Sequence, residues 1–311
     1  MDMGAIAIRF GLYAALMTLF GLSSFGLYAL RDGERKFGVT LRFAPLLAGM
    51  AIISGLLSVL GLLSLAASMA GVSLTAVDRP TVDIVLWGTA AGTAWQVRMV
   101  ALVVATILAF VGIRYARAAL AGIAISAGAA ILTLAWSGHG AMDQGALGWV
   151  HLIADFAHLL AAGIWIGALV GLLLLIFRTS AQVDRDHLVL THRVLEGFST
   201  VGTAVVGVLL ISGLINSWIL VGIANIAALP TSLYGQLLLA KIALFAAMVL
   251  LAAINRFRLT PAFNGAIAEG DHDRAIGALR RSLTIETGCA IAILGLVAWL
   301  GTLEPPGSAM S

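Results

Sequence analysis

The sequence predicts an all-α polytopic membrane protein, a bundle of eight transmembrane helices. Of its 311 residues, 61% are hydrophobic and only 11% are charged, and the mean hydropathy is +1.05. A soluble domain has roughly a quarter of its residues charged. Eight apolar runs reach the length of about 20 residues that a helix needs to cross a bilayer. Because backbone polar groups cannot stay unpaired in lipid, each run is predicted to be helical.

The predicted spans form a single transmembrane domain over residues 1–311. They cover residues 5–30, 43–70, 95–113, 118–137, 150–177, 197–221, 236–254 and 283–303. The first run is interpreted as a retained span and not a cleaved signal, because Asp2 precedes any base and Arg31 follows the run. Residues 71–94 are predicted to contain a short interfacial helix with Trp87 at headgroup level.

The basic residues predict the orientation of the bundle. All but four of the 18 Lys and Arg lie in the loops after the first, third, fifth and seventh spans, and such loops are cytoplasmic by the positive-inside rule. An even number of spans then puts both termini outside. The exceptions are Arg9, Arg79, Arg98 and Lys241. Bases distributed in this way set topology, so the net charge of +3 does not indicate nucleic-acid binding.

One stretch concentrates ionisable groups inside an apolar span. His151, Asp155 and His158 follow one another at spacings of four and three residues, so they share one face of the fifth predicted helix. Ionisable groups within a membrane are costly and mark functional sites. The Gly-rich loop before this helix adds three more polar groups: His139, Met142 and Asp143.

These side chains predict a metal site of one of two kinds. His151 and His158 are about 10.5 Å apart along the helix axis, at 1.5 Å per residue, so they form either one site toward which both imidazoles lean or two adjacent stations. Asp155 acts as a ligand or holds an imidazole through its second nitrogen. Imidazole and carboxylate suit Cu(II) or Zn(II), and the thioether of Met142 favours Cu(I). A polar cluster that hydrogen-bonds neighbouring helices or interfacial water is the alternative.

Basic residues near the outer end are candidates to support this site, Arg98 and Lys241 among them. Arg9, Arg98 and Lys241 lie near the outer ends of their spans, where snorkelling to the headgroups explains them. Alternatively, one of them pairs with Asp155 or Asp143 and keeps that carboxylate ionised.

Two further candidates lie away from the outer end, Trp165 within the fifth span and Glu286 just inside the eighth span at its cytoplasmic end. Trp165 stands between Gly163 and Gly167, a spacing that favours helix packing. Glu286 lies near a helix N-terminus, where the helix dipole favours a carboxylate, and the alternative is a proton or metal exit role.

Several motifs together resemble the copper resistance protein D (CopD) family of bacterial inner-membrane proteins. The resemblance covers the last two-thirds of the chain, and the first three helices match by general layout. The residues that carry it are Gly138-His139-Gly140, Asp155 and His158 followed by Leu159-Leu160-Ala161-Ala162, Trp165-Ile166-Gly167, Phe198-Ser199, Tyr234-Gly235 with Leu237 to Lys241, Asn255-Arg256 with Pro261, and Arg280-Arg281-Ser282 with Glu286.

This resemblance implies an eight-helix inner-membrane protein of copper homeostasis, with periplasmic termini, that takes copper from the periplasm toward the cytoplasm. His139, Asp155 and His158 lie on the family pattern. Some relatives carry a small β-domain fused to the membrane part. None is recognised in this sequence, so the expected donor is a separate periplasmic copper-binding protein C.

Three classes of function remain in competition. The first is a copper transporter without an ATP-binding motif, and the second is a periplasm-facing copper-binding or assembly protein that does not translocate the ion. The third is a haem b electron carrier, which is disfavoured because His151 and His158 share one helix while two axial ligands normally come from different helices. An enzyme is not expected, since no HExxH motif or nucleophile–base pair is present.

Overall fold

The computed structural model describes residues 3–35, 42–112, 116–137, 145–177, 185–269 and 272–304. Within these ranges it contains ten α-helices and no strand. They are α1 (Met3–Tyr28), α2 (Phe43–Ala70), α3 (Arg79–Gly88), α4 (Ala90–Val111), α5 (Ala116–Leu132), α6 (Gly145–Ile176), α7 (Arg185–Val221), α8 (Leu233–Ile254), α9 (Thr260–Glu269) and α10 (His272–Leu300). Eight spans are long and apolar enough to cross a membrane, which confirms the predicted fold class.

Two spans are longer than the sequence predicts. The predicted spans begin at residues 197 and 283, where the apolar runs begin. In the structure, α7 begins at Arg185 and α10 begins at His272. Both extensions are rich in charge. A helix that leaves lipid keeps its backbone hydrogen bonds while its side chains become polar, so hydropathy marks where the apolar part ends and not where the helix ends.

The connection between α2 and α4 contains the predicted short helix, α3. Asp78 caps its first turn, because the Thr81 backbone N–H donates to Asp78 Oδ1 at 3.1 Å. Hydrogen bonds from Thr81 lower the pKa of this exposed carboxyl. Trp87, near the other end of α3, is 72% exposed.

Helix α1 lies at the centre of the bundle and packs against α2, α5, α6 and α10. Its Leu16, Leu19 and Phe25 are fully buried. Gly21 makes the closest helix approach: a Cβ there would overlap the Gly163 carbonyl oxygen and lie 2.7 Å from the backbone nitrogen of Gly167. The packing interpretation of the Gly163 and Gly167 pair is therefore confirmed, with α1 as the partner.

The two ends of the bundle are defined here by His151 and by Arg280. At the His151 end, α1 begins and α10 finishes, and a Cβ on Gly301 would lie 2.5 Å from Arg9 Nη2. At the Arg280 end, Arg280 Nε and Nη2 donate to the Ile176 carbonyl at 3.1 and 2.9 Å. The described chain thus starts and finishes at the His151 end, and the side of the membrane that this end faces stays a prediction.

An ion pair at the Arg280 end joins the turn after α1 to α7. Arg193 Nη2 donates to Glu34 Oε1 at 2.5 Å, and the Arg31 backbone N–H donates to Glu34 Oε2 at 2.8 Å. Partial burial of Glu34 opposes ionisation, but these hydrogen bonds and the charges of Arg193 and Arg31 outweigh it and lower the pKa of Glu34.

The Glu34 contacts predict a loss of stability in acid. The pKa of Glu34 is lower in the folded state than in the unfolded state, where it is about 4.5. The stabilisation from ionised Glu34 is therefore fully present above the unfolded-state pKa and is lost as the pH falls through the folded-state pKa. At neutral pH, Glu34→Gln is expected to cost about 1 kcal/mol and to flatten the acid limb of a Tm-versus-pH curve. The exposed carboxyl Glu196 supplies the control, Glu196→Gln; equal acid limbs in both variants would contradict the assignment.

Candidate metal site at the His151 end

Helix α6 presents His151, Asp155 and His158 to one cavity of about 180 Å³. Their spacing of four and three residues puts them on a common face, as the sequence predicts. Four other helices complete the wall. They contribute Arg9, Tyr13, Asn216, Ser217, Tyr234, Lys241 and Val297.

Asp155 is held from two sides. Asn216 Nδ2 on α7 donates to Asp155 Oδ1 at 2.6 Å, and His151 Nε2 lies 3.9 Å from Asp155 Oδ2. Lys241 on α8 lines the same cavity and attracts this carboxylate electrostatically. His151 itself is only 1% exposed. Within the described ranges no Lys241 nitrogen lies within 4 Å of an Asp155 oxygen, so the pairing of Asp155 with an outer base stays a prediction.

His158 is oriented by a serine of the neighbouring helix. Its Nδ1 lies 3.0 Å from Ser212 Oγ, and the Ser212 hydroxyl donates to the Val208 carbonyl at 2.6 Å. Because the Ser212 hydroxyl proton is used in the bond to Val208, Ser212 Oγ accepts a hydrogen bond from His158 Nδ1–H. The lone pair of the imidazole is then on Nε2. In this tautomer Nε2 is the nitrogen of His158 that can ligate a metal.

The sequence interpretation missed Ser212 and Asn216. Both are polar residues within the apolar run of α7, and their spacing of four residues puts them on one helical face. That pattern is the signal that could have identified them.

The structure brings two histidines to one cavity without completing a single ligand sphere. Within the described ranges, no three His, Cys, Asp or Glu side chains converge closely enough to hold one metal ion. The loop candidates His139, Met142 and Asp143 lie outside those ranges. The choice between one site and two stations therefore stays open, and the donor types present, imidazole and carboxylate, fit copper.

The remaining candidates lie elsewhere. Arg98 does not line this cavity; its Nε donates to Thr133 Oγ1 at 2.7 Å. Trp165 and Glu286 meet further along α6, where Trp165 Nε1 donates to Glu286 Oε1 at 2.9 Å. Asn255 Nδ2 donates to the other oxygen at 3.0 Å. Glu286 is 2% exposed, so this network is buried.

Three cavities follow one another along α6 toward the Arg280 end. The second, of about 250 Å³, shares His158 and Lys241 with the metal cavity and reaches Trp165. The third, of about 310 Å³, shares Trp165 with the second and contains Glu286. It is bounded by a π-helical turn at Asn255–Leu259, a helix irregularity that often marks functional sites.

Comparison with known proteins identifies the family. Residues 1–149 match the model of the copper resistance protein D-like N-terminal domain, and residues 192–300 match that of copper resistance protein D. Copper resistance protein D of Pseudomonas syringae pv. tomato is 43% identical over 97% of this chain and 96% of its own length. No solved structure matches the chain.

Two further relatives align over nearly the whole chain. Inner membrane protein YebZ of Escherichia coli (strain K12) is 28% identical over 96% of this chain and 98% of its own length. Copper transport protein CutJ of Bacillus subtilis (strain 168) is 29% identical over 97% of this chain, which spans 53% of that relative. Together with the eight apolar spans, these matches show that the chain belongs to the copper resistance protein D family of multi-pass inner-membrane proteins.

Proposed function

We propose that this protein binds copper ions at the His151 end and carries them across the inner membrane, from the periplasm toward the cytoplasm. Membership of a family whose relatives are named for copper resistance and copper transport supports a role in copper homeostasis. Copper is then the substrate. Its donor is a separate periplasmic copper-binding protein of the C type.

The observation that carries the proposal is the series of three cavities beside α6. Each cavity shares side chains with the next: His158 and Lys241 join the first to the second, and Trp165 joins the second to the third. Polar groups occur at both ends of the series, Asp155 at one and Glu286 at the other. In the proposed mechanism, an ion that leaves the first cavity would pass along this face of α6 to a second carboxylate.

Binding in the first cavity would use His158 Nε2 and an Asp155 oxygen. His151 lies beside Asp155, and the preceding loop would add His139 and Met142, with Asp143 nearby. Lys241 attracts the same carboxylate, so a cation that binds Asp155 competes with the ammonium group. This competition would keep the ion from binding so tightly that it cannot move on.

The distribution of basic residues supports the proposed orientation of the bundle, with the copper cavity on the periplasmic side. The Arg280 end carries Arg193 and Arg280, which the positive-inside rule assigns to the cytoplasm. The His151 end, with both termini, would then face the periplasm. The periplasm-facing assembly protein without translocation has the same binding residues and is distinguished by experiment.

Copper uptake into sealed proteoliposomes with a copper-sensitive dye inside tests the proposal. The double variant His139→Ala/His158→Ala and Asp155→Asn are expected to lower the initial uptake rate about tenfold or more, as the loss of metal ligands predicts. His192→Ala, near the Arg280 end, is the matched histidine control and should retain uptake. Normal uptake by the folded double variant would refute the proposed site. Tight binding by the wild type with no copper inside would favour the assembly protein.

A further inference from the structure

A fourth cavity lies between α1, α2 and α4 and shares Arg9, Tyr13 and Leu134 with the first of the three cavities just described. It measures about 480 Å³, and α1, α2 and α4 supply most of its wall. The polar groups on this wall are Arg9, Tyr13, Ser58, Ser64, Ser68, Trp95, Arg98 and Trp136. No Asp, Glu or His of the described ranges lines it. The cavity is therefore rich in hydrogen-bond donors and carries positive charge.

Arg98 brings a buried charge that no carboxylate balances. Arg98 is only 5% exposed. Nε donates to Thr133 Oγ1 at 2.7 Å and Nη2 approaches the Thr133 carbonyl at 3.4 Å, which leaves donors of the guanidinium unused. In the described part of the chain, no Asp or Glu oxygen lies within 4 Å of Arg98 or Arg9. A charge buried in this way is costly unless an anion accompanies it.

Two other polar atoms of the wall have no hydrogen-bond partner among the residues that the structure describes. Arg9 Nε is buried without an acceptor, and Ser58 Oγ is buried without any partner although Ser58 is only 1% exposed. Trp95 Nε1 is already used, since it donates to the Ser58 carbonyl at 2.9 Å. A buried donor without an acceptor costs about 1–3 kcal/mol. An acceptor in the cavity would relieve Arg9 and Ser58 together.

We propose that this cavity binds a phosphate group through Arg9, Arg98 and Ser58. A tetrahedral phosphate offers oxygens in several directions and matches the guanidinium fork, so it can accept from side chains on α1, α2 and α4 at once. Its negative charge balances the buried Arg98. The phosphate comes either from free inorganic phosphate or from a phospholipid headgroup, whose glycerol would lie against the apolar part of the wall, Leu12, Leu62 and Leu65. The cavity adjoins the proposed copper cavity, since Arg9, Tyr13 and Leu134 line both. Arg98 and Ser58 line the fourth cavity and not the copper cavity, and the phosphate proposal does not depend on copper binding.

Two measurements on the purified full-length protein test the site and separate the sources. The first is the Tm shift caused by inorganic phosphate relative to chloride at equal ionic strength. The second is native mass spectrometry of phosphatidylglycerol retained after detergent exchange. The variants are Arg98→Gln and, in case that protein does not fold, Arg9→Gln/Ser58→Ala. Arg79→Gln removes the same charge from an exposed side chain (92% exposed) and is the matched control.

For a free-phosphate site, phosphate should raise the Tm of the wild type and of Arg79→Gln, with about tenfold weaker affinity in either cavity variant. For a lipid site, the wild type and Arg79→Gln should retain phosphatidylglycerol that the cavity variants lose. Equal phosphate response and equal lipid retention in all four proteins would overturn the proposal.

Discussion

Gly21→Ala and Gly167→Ala are each expected to prevent the folded bundle from forming. An added Cβ at Gly21 would overlap the Gly163 carbonyl oxygen, and one at Gly167 would overlap the Gly21 backbone. Main-chain atoms of two helices cannot rotate away as a flexible side chain can, so α1 and α6 would have to separate. Overpacking of this kind costs about 3 kcal/mol or more, and α1 is the helix around which the others pack.

The matched control is Gly207→Ala in α7, where an added Cβ meets no atom within 4 Å. Alanine is the better helix former by about 1 kcal/mol, so this variant should be as stable as the wild type or more so. Detergent size-exclusion profiles and Tm values check both parts. Monodisperse Gly21→Ala protein with a wild-type Tm would show that the close approach of α1 to α6 is not required.

Glu286→Gln is expected to slow copper release about tenfold while leaving copper binding at the His151 end intact. The glutamine side chain keeps one carbonyl oxygen, which can accept from either Trp165 Nε1–H or Asn255 Nδ2–H. Its NH₂ group then faces the other donor, and the negative charge of Glu286 is lost. If the third cavity is the last station of the proposed route, loss of that charge should lower the uptake rate about tenfold, corresponding to about 1.4 kcal/mol. Glu286→Leu removes both acceptors and should in addition destabilise the protein by about 1–3 kcal/mol for each stranded donor.

The exposed carboxyl of Glu196, removed in Glu196→Gln, controls for a change in net charge near the same end. Uptake by Glu286→Gln at the wild-type rate would exclude Glu286 from the route. Loss of copper binding at equilibrium, together with loss of uptake, would indicate that Glu286 acts on the first cavity instead.

Hydropathy predicted the eight spans, because burying about 20 apolar residues in lipid is a property of each segment alone. It could not place α1 at the centre, since nearly uniform apolar helices carry no information about which neighbour each one meets. That choice depends on small residues such as Gly21, whose partner Gly167 is far away in sequence. The starts of α7 and α10 were missed because their first turns are charged and extend beyond the apolar run.

The residues of the candidate site were likewise predicted from the sequence only in part. Helical periodicity alone puts His151, Asp155 and His158 on one face, and the structure places them on one cavity. Periodicity could not pair Trp165 with Glu286, which are 121 residues apart. It also left Arg98 among the candidates for the metal site, whereas the structure places Arg98 on the wall of the neighbouring fourth cavity.

The meeting of α1 and α10 at Arg9 and Gly301 has a consequence for how a copper donor is supplied. A domain joined to the start of the chain and a domain joined to its end would both be tethered beside the cavity that contains Asp155. A short tether holds its cargo at an effective concentration in the millimolar range, so either attachment would replace diffusional encounter with local transfer. The proposed copper donor could therefore be fused to either terminus of the bundle, or remain a separate protein, without any rearrangement of the eight spans.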